Sequence, residues 1–107
     1  MSRDWRLYLD DLIASAEKIA RFVEAQSADS LRVDEARFDA VLFNILVIGE
    51  AAKRLADLGV GDGIDWSEPA RMRDLIAHHY FAVDPDLVFE VATVHVPALL
   101  RTARGLE

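Results

Sequence analysis

A chain of 107 residues, 52% apolar and 29% charged, can close one hydrophobic core but not two, so residues 1–107 are expected to form a single domain. Without cysteine it has no disulfide framework, no thiolate nucleophile and no cysteine metal site. Its net charge of -7 excludes a general nucleic-acid binder, because non-specific affinity for a polyanion rests on Lys and Arg contacts to phosphate; any RNA must meet a local basic patch.

The N-terminal residues Met1-Ser2-Arg3-Asp4-Trp5 lack the apolar core of a signal peptide. The longest apolar run, residues 40–49, is interrupted by Asn44 and falls short of the roughly 20 residues a membrane span needs. A soluble cytoplasmic protein without membrane attachment is expected. The terminal Leu106-Glu107 reads as the remnant of an expression tag.

In chain order, Trp5, Leu9, Leu12, Ala16, Ile19 and Val23 recur at alternating steps of four and three, which predicts an amphipathic helix from about Ser2 to Gln26. Ser27 to Ser30 read as a loop. Asp34 is placed to cap a second helix, with Val33 and Phe38 as its hydrophobic staple, running to Leu58. The seam of this helix is Phe38, Leu42, Ile45, Gly49, Ala52 and Leu55, yet Val41, Phe43, Leu46, Val47 and Ile48 make its middle apolar almost all round. Such a helix needs cover on two faces. Either the rest of the bundle or a second subunit can give it, and a homodimer with this helix at or near the interface is expected.

Gly59-Val60-Gly61-Asp62-Gly63 follows a helix rather than a strand, and no Lys-Ser/Thr pair comes after it, so it reads as a helix C-cap and turn, not a phosphate loop. Asp65 or Ser67 opens a third helix, with Glu68 three residues after Asp65 as in a capping box and Pro69 in the first turn. Asp84-Pro85 opens a fourth, marked by Leu87, Val91, Val94, Ala98 and Arg101 and kinked by Pro97, which leaves the Thr93 carbonyl without its helical partner. His95 reads as a bundle residue rather than a ligand. The expected fold is all-α: an antiparallel up-and-down bundle of four main helices, with room for one short extra helix.

The chemistry concentrates between Arg73 and Tyr80, in the order Arg73-Asp74-Leu75-Ile76-Ala77-His78-His79-Tyr80. Asp74 and His78 stand four residues apart, where the carboxylate can hold one imidazole nitrogen and leave the other for substrate. Arg73 and His78 lie about 140° apart around a helix of 100° per residue. Either the helix ends before His78 and the chain turns the imidazole back, or a second subunit completes the site. Adjacent His78 and His79 cannot face one ion on a regular helix, and no His-Glu-x-x-His pattern exists, so neither metal nor other cofactor is expected. Ten of the twelve basic residues are arginines, whose fork geometry suits phosphate.

The Arg-x4-His-x-Tyr pattern of Arg73, His78 and Tyr80 resembles the motif of HepT-like toxins of the HEPN superfamily. The resemblance extends to residues 44–55, the family's second helix, and to residues 66–81 with Val83-Asp84 after them, its catalytic helix and exit. It implies a dimeric, metal-independent endoribonuclease whose motif lines a cleft between subunits, with His78 as acid and base in attack of a ribose 2′-hydroxyl and Arg73 steadying phosphate charge. Position 74 takes a polar residue in the family, often asparagine, and here it is Asp74. The resemblance further implies a cognate nucleotidyltransferase antitoxin that attaches AMP to Tyr80. Asn44 and Glu50 are polar groups on an apolar helix and candidate supporting residues; Glu50 can pair with Arg54 or with Arg73. The other class of protein compatible with these residues is a non-catalytic nucleotide- or substrate-binding partner of a separate nucleotidyltransferase.

Overall fold

The structure, a computed structural model, describes residues 4–79 and 82–107. It consists of helices α1 (Trp5–Val23), α2 (Ala28–Val33), α3 (Glu35–Asp57), α4 (Ser67–His78) and α5 (Pro85–Glu90), a π-helical turn at Val91–His95, and α6 (Val96–Arg104). Helix α5, the π turn and α6 run on without a break as the fourth long rod of an all-helical bundle. No helix among the described residues is long and apolar enough to cross a membrane.

The predicted seams make the core. From α1, Leu9, Leu12, Ala16 and Ile19 are buried, and from α3, Leu42, Ile45, Gly49, Ala52 and Leu55. Helix α3 packs against both α1 and α4, while α1 also meets α6. Each fully buried Leu or Ile contributes about 1.5–3 kcal/mol of apolar transfer, which outweighs the weak intrinsic preferences of single residues for helix.

Local chemistry sets the boundaries. Ser27 and Ser30 cap one another reciprocally, each hydroxyl accepting from the other's backbone N–H at 3.0 and 2.9 Å, so residues read as loop form the short helix α2 instead. Asp34 caps α3 as expected, accepting from Arg37 N–H at 3.2 Å. That bond, followed by the Arg37 guanidinium, holds its carboxyl below the usual range. The predicted staple does not form. Val33, now the last residue of α2, is 68% exposed, whereas Phe38 packs against the core.

At the other end of α3, Gly59 adopts φ +69°, Gly59 N–H returns to the Ala56 carbonyl, and Val60 N–H returns to the Leu55 carbonyl, both at 3.0 Å. This pair of bonds is the Schellman termination, with Val60 packed onto the core. The buried Trp66 then donates its indole N–H to the Val60 carbonyl at 2.8 Å, which locks the glycine turn beneath α4. Asp65 accepts from the Ser67 backbone N–H at 2.9 Å and from its hydroxyl, whereas the expected reciprocal partner Glu68 reaches His95 instead.

Asp84 caps α5, and Pro85 occupies its first turn. Ahead of Pro97 the backbone widens into the π turn, where Val96 N–H bonds to the Val91 carbonyl. The Thr93 hydroxyl bonds to the Phe89 carbonyl at 2.7 Å. A helix that meets a proline with one donor missing thus shifts its register by one residue rather than stopping. His95 is not a bundle residue. Its ring is about half exposed, with Nδ1 3.1 Å from Glu68 and Nε2 3.9 Å from Glu90.

Candidate active site

Helix α4 is anchored by Ile76, which is fully buried, and by a close crossing of α3. The crossing is possible because residue 49 is glycine. A Cβ there would lie 2.0 Å from Arg73 Cβ and 2.8 Å from the Pro69 carbonyl oxygen. Arg73 is therefore pressed against α3, and its guanidinium runs along the outer face of that helix.

A chain of alternating charges follows. Arg54 meets Glu50 at 3.3 Å, Glu50 meets Arg73 Nε at 3.7 Å, Arg73 meets Asp74 Oδ1 at 3.1 Å, and Lys53 Nζ meets the same Oδ1 at 2.6 Å. Glu50 thus pairs with both partners that the sequence offered it. Three cations and two carboxylates leave a local positive excess in an acidic protein. The hydrogen bond from Lys53 is the main cause holding the Asp74 carboxyl below its usual range, with Arg73 adding to it and desolvation opposing.

The Asp74 carboxylate does not hold His78, contrary to the sequence expectation. Committed to Lys53 and Arg73, it leaves the imidazole to the backbone: His78 Nδ1 sits 2.7 Å from the Asp74 carbonyl oxygen. A carbonyl can only accept, so Nδ1 is the donor and Nε2 is the nitrogen left for a substrate. Helix α4 runs through His78, which removes the possibility that the chain turns the imidazole back toward Arg73. The exposed His78 lines an open groove of about 650 Å³ with Glu68, Arg71, Met72, Asp74, Leu75 and His79. Arg73 is not among the described residues that line it. Another depression, of about 600 Å³, lies over the glycine turn and includes Lys53, but neither Arg73 nor His78.

Asn44 is buried, with its amide donating to the Ala40 carbonyl of its own helix at 2.8 Å. Among the described residues no hydrogen bond joins it to Arg73 or His78. Tyr80, the expected modification site, lies outside the described residues. Among the described residues no group of three or more His, Asp or Glu side chains could hold a metal ion.

Helix α3 keeps an uncovered stripe. Phe43 is 63% exposed and Val47 half-buried, and at 100° per residue Phe43, Val47, Glu50 and Arg54 fall on one face. The apolar stripe therefore runs directly into the charged chain that holds Arg73.

The low pKa of Asp74 carries a sign for stability. A carboxyl whose folded-state pKa is depressed adds stability above its unfolded value and loses it as pH falls through the folded one. The stability difference between the natural protein and Asp74→Asn, measured by urea unfolding, should be greatest near neutrality and shrink in acid below the ordinary carboxylate range.

The all-helical bundle, with Arg73 and His78 on one helix in an Arg-x4-His spacing, agrees with the HepT-like resemblance read in the sequence. A family model described as "Ribonuclease HepT-like" matches residues 12–106, and the chain belongs to that family. It is 31% identical over 101 residues to a protein of Thermococcus cleftensis named "Probable ribonuclease HepT", covering 92% of each chain. It is 34% identical over 101 residues to a Methanocaldococcus jannaschii protein named as a gamma-glutamylcyclotransferase and candidate RNase, covering 92% of this chain but only 46% of that one. No solved structure matches it significantly.

Proposed function

We propose that the protein is a metal-independent endoribonuclease whose site is completed by two subunits, and that it acts as the toxin of a toxin-antitoxin pair. One observation carries this reading: Arg73 and His78 stand about 140° apart around α4 and make no contact with one another among the described residues, and the Arg73 side continues into the exposed Phe43–Val47 stripe. Burying that stripe against a second copy satisfies the apolar face and brings a guanidinium to the join. Two His78 imidazoles then serve as base for a ribose 2′-hydroxyl and acid for the departing 5′-oxygen. Arg73 stabilises the charge that grows on the phosphate oxygens. The 2′-oxygen bonds to phosphorus as the 5′-oxygen leaves, giving a 2′,3′-cyclic phosphate. The family resemblance adds Tyr80 as the residue to which a cognate nucleotidyltransferase antitoxin transfers AMP, blocking the cleft with bulk and negative charge.

The test is cleavage of a defined RNA in EDTA, with its end groups identified. Cyclic phosphate ends are expected, and no cut where the 2′-hydroxyl is replaced by hydrogen. Arg73→Ala should slow cleavage by about 10²–10³-fold, the size of losing one charge-stabilising donor. Phe43→Glu should give a folded monomer with little activity. Cutting of the 2′-deoxy substrate, or full activity in a monomer, would overturn the mechanism.

A further inference from the structure

We propose that Lys53 is a positioning residue for phosphate recognition, acting through Asp74 to keep the Arg73 guanidinium available. The inference rests on the ribonuclease reading above. Lys53 and Arg73 converge on one oxygen, Asp74 Oδ1, at 2.6 and 3.1 Å. An arginine beside a carboxylate ordinarily takes both oxygens in a fork, a strong and geometrically closed pairing. Here the ammonium, on the shorter contact, holds the shared oxygen. Arg73 is left with a single end-on contact to Asp74 and a long one, 3.7 Å, to Glu50. Among the described residues its other N–H groups take no hydrogen bond.

The same device protects the imidazole. With its side chain tied to Lys53, Asp74 offers His78 only its backbone carbonyl. Without Lys53, Arg73 is the remaining cation on the carboxylate, and it closes on it in the bidentate form. A lysine on α3 thus decides whether an arginine on α4 faces inward to a carboxylate or outward to a phosphodiester.

Lys53→Met keeps the length of the side chain and removes the charge, and at a position about one-third exposed it leaves the core intact. It should raise KM for RNA about tenfold and lower kcat as well, because an Arg73 drawn back to Asp74 neither grips the phosphate nor steadies the charge that grows on it. Lys53→Arg should restore KM. The double variant Lys53→Met/Asp74→Asn should recover much of the loss, because the trap for Arg73 is then gone. Carbon-detected NMR of the Asp74 carboxyl should show its titration moving up toward the ordinary range in Lys53→Met. If KM is unchanged in Lys53→Met, or the double variant binds no better than the single one, the positioning role is refuted; in the second case Lys53 touches phosphate itself. A folded wild-type protein that leaves RNA uncut refutes instead the reading on which the role rests.

Discussion

Replacing His78 by alanine should lower RNA cleavage by about 10²–10⁴-fold, the range spanned by positioned acid-base groups, with the fold retained. Retention is expected because His78 is exposed and ends α4, so its removal opens no cavity. The imidazole matters for a reason visible in its bonding: Nδ1 is fixed on the Asp74 carbonyl, which leaves Nε2 to exchange a proton with substrate. If two such imidazoles share one cleft, the loss is dominant. In dimers assembled from mixed natural and His78→Ala chains, activity should fall as the square of the natural fraction, since a cleft with one histidine lacks either the acid or the base. A linear fall would mean that each protomer carries its own complete site, and it would remove the second histidine from the mechanism.

The features legible in the sequence were those written by periodicity and by local caps. The α1 and α3 seams, the Asp34 cap and the glycine termination of α3 follow from residues a few positions apart, and the structure reproduces them. The family follows from the Arg-x4-His spacing together with the second-helix segment. Long-range choices were not legible. Asp74 has His78 one turn away and Lys53 twenty-one residues back, and only the α3–α4 crossing decides for Lys53. Lys53 was present in the quoted second-helix segment, but on helical spacing alone it is one more surface cation. The π turn was half legible, because Pro97 announces a missing donor without saying how the backbone absorbs it. His95 likewise reads from sequence as a bundle residue rather than a ligand, and its partner Glu68 appears only once α4 is folded beside it. Periodicity showed that α3 is apolar almost all round but left open what covers its second face, and in the single chain Phe43 stays exposed.

Gly49→Ala sets two effects of opposite sign against each other. Alanine is favoured over glycine inside a helix by about 0.5–1 kcal/mol, so on propensity alone the variant should be more stable. The added methyl, however, would stand 2.0 Å from Arg73 Cβ, 2.8 Å from Arg73 Cγ and 2.8 Å from the Pro69 carbonyl oxygen. A Cβ and a backbone carbonyl cannot rotate away as the tip of a long side chain can. Helix α4 must move off α3, at the typical overpacking cost of about 1–3 kcal/mol. The clash should win, giving a net loss of stability seen as a lower urea midpoint with an unchanged slope. The displacement also pulls Arg73 from Glu50 and Asp74 from Lys53, so cleavage should fall further than the folded fraction does. A Gly49→Ala protein as stable and as active as the natural one would show that the α3–α4 crossing is not held at this distance, and the placement of Arg73 would have to be argued from its charges alone.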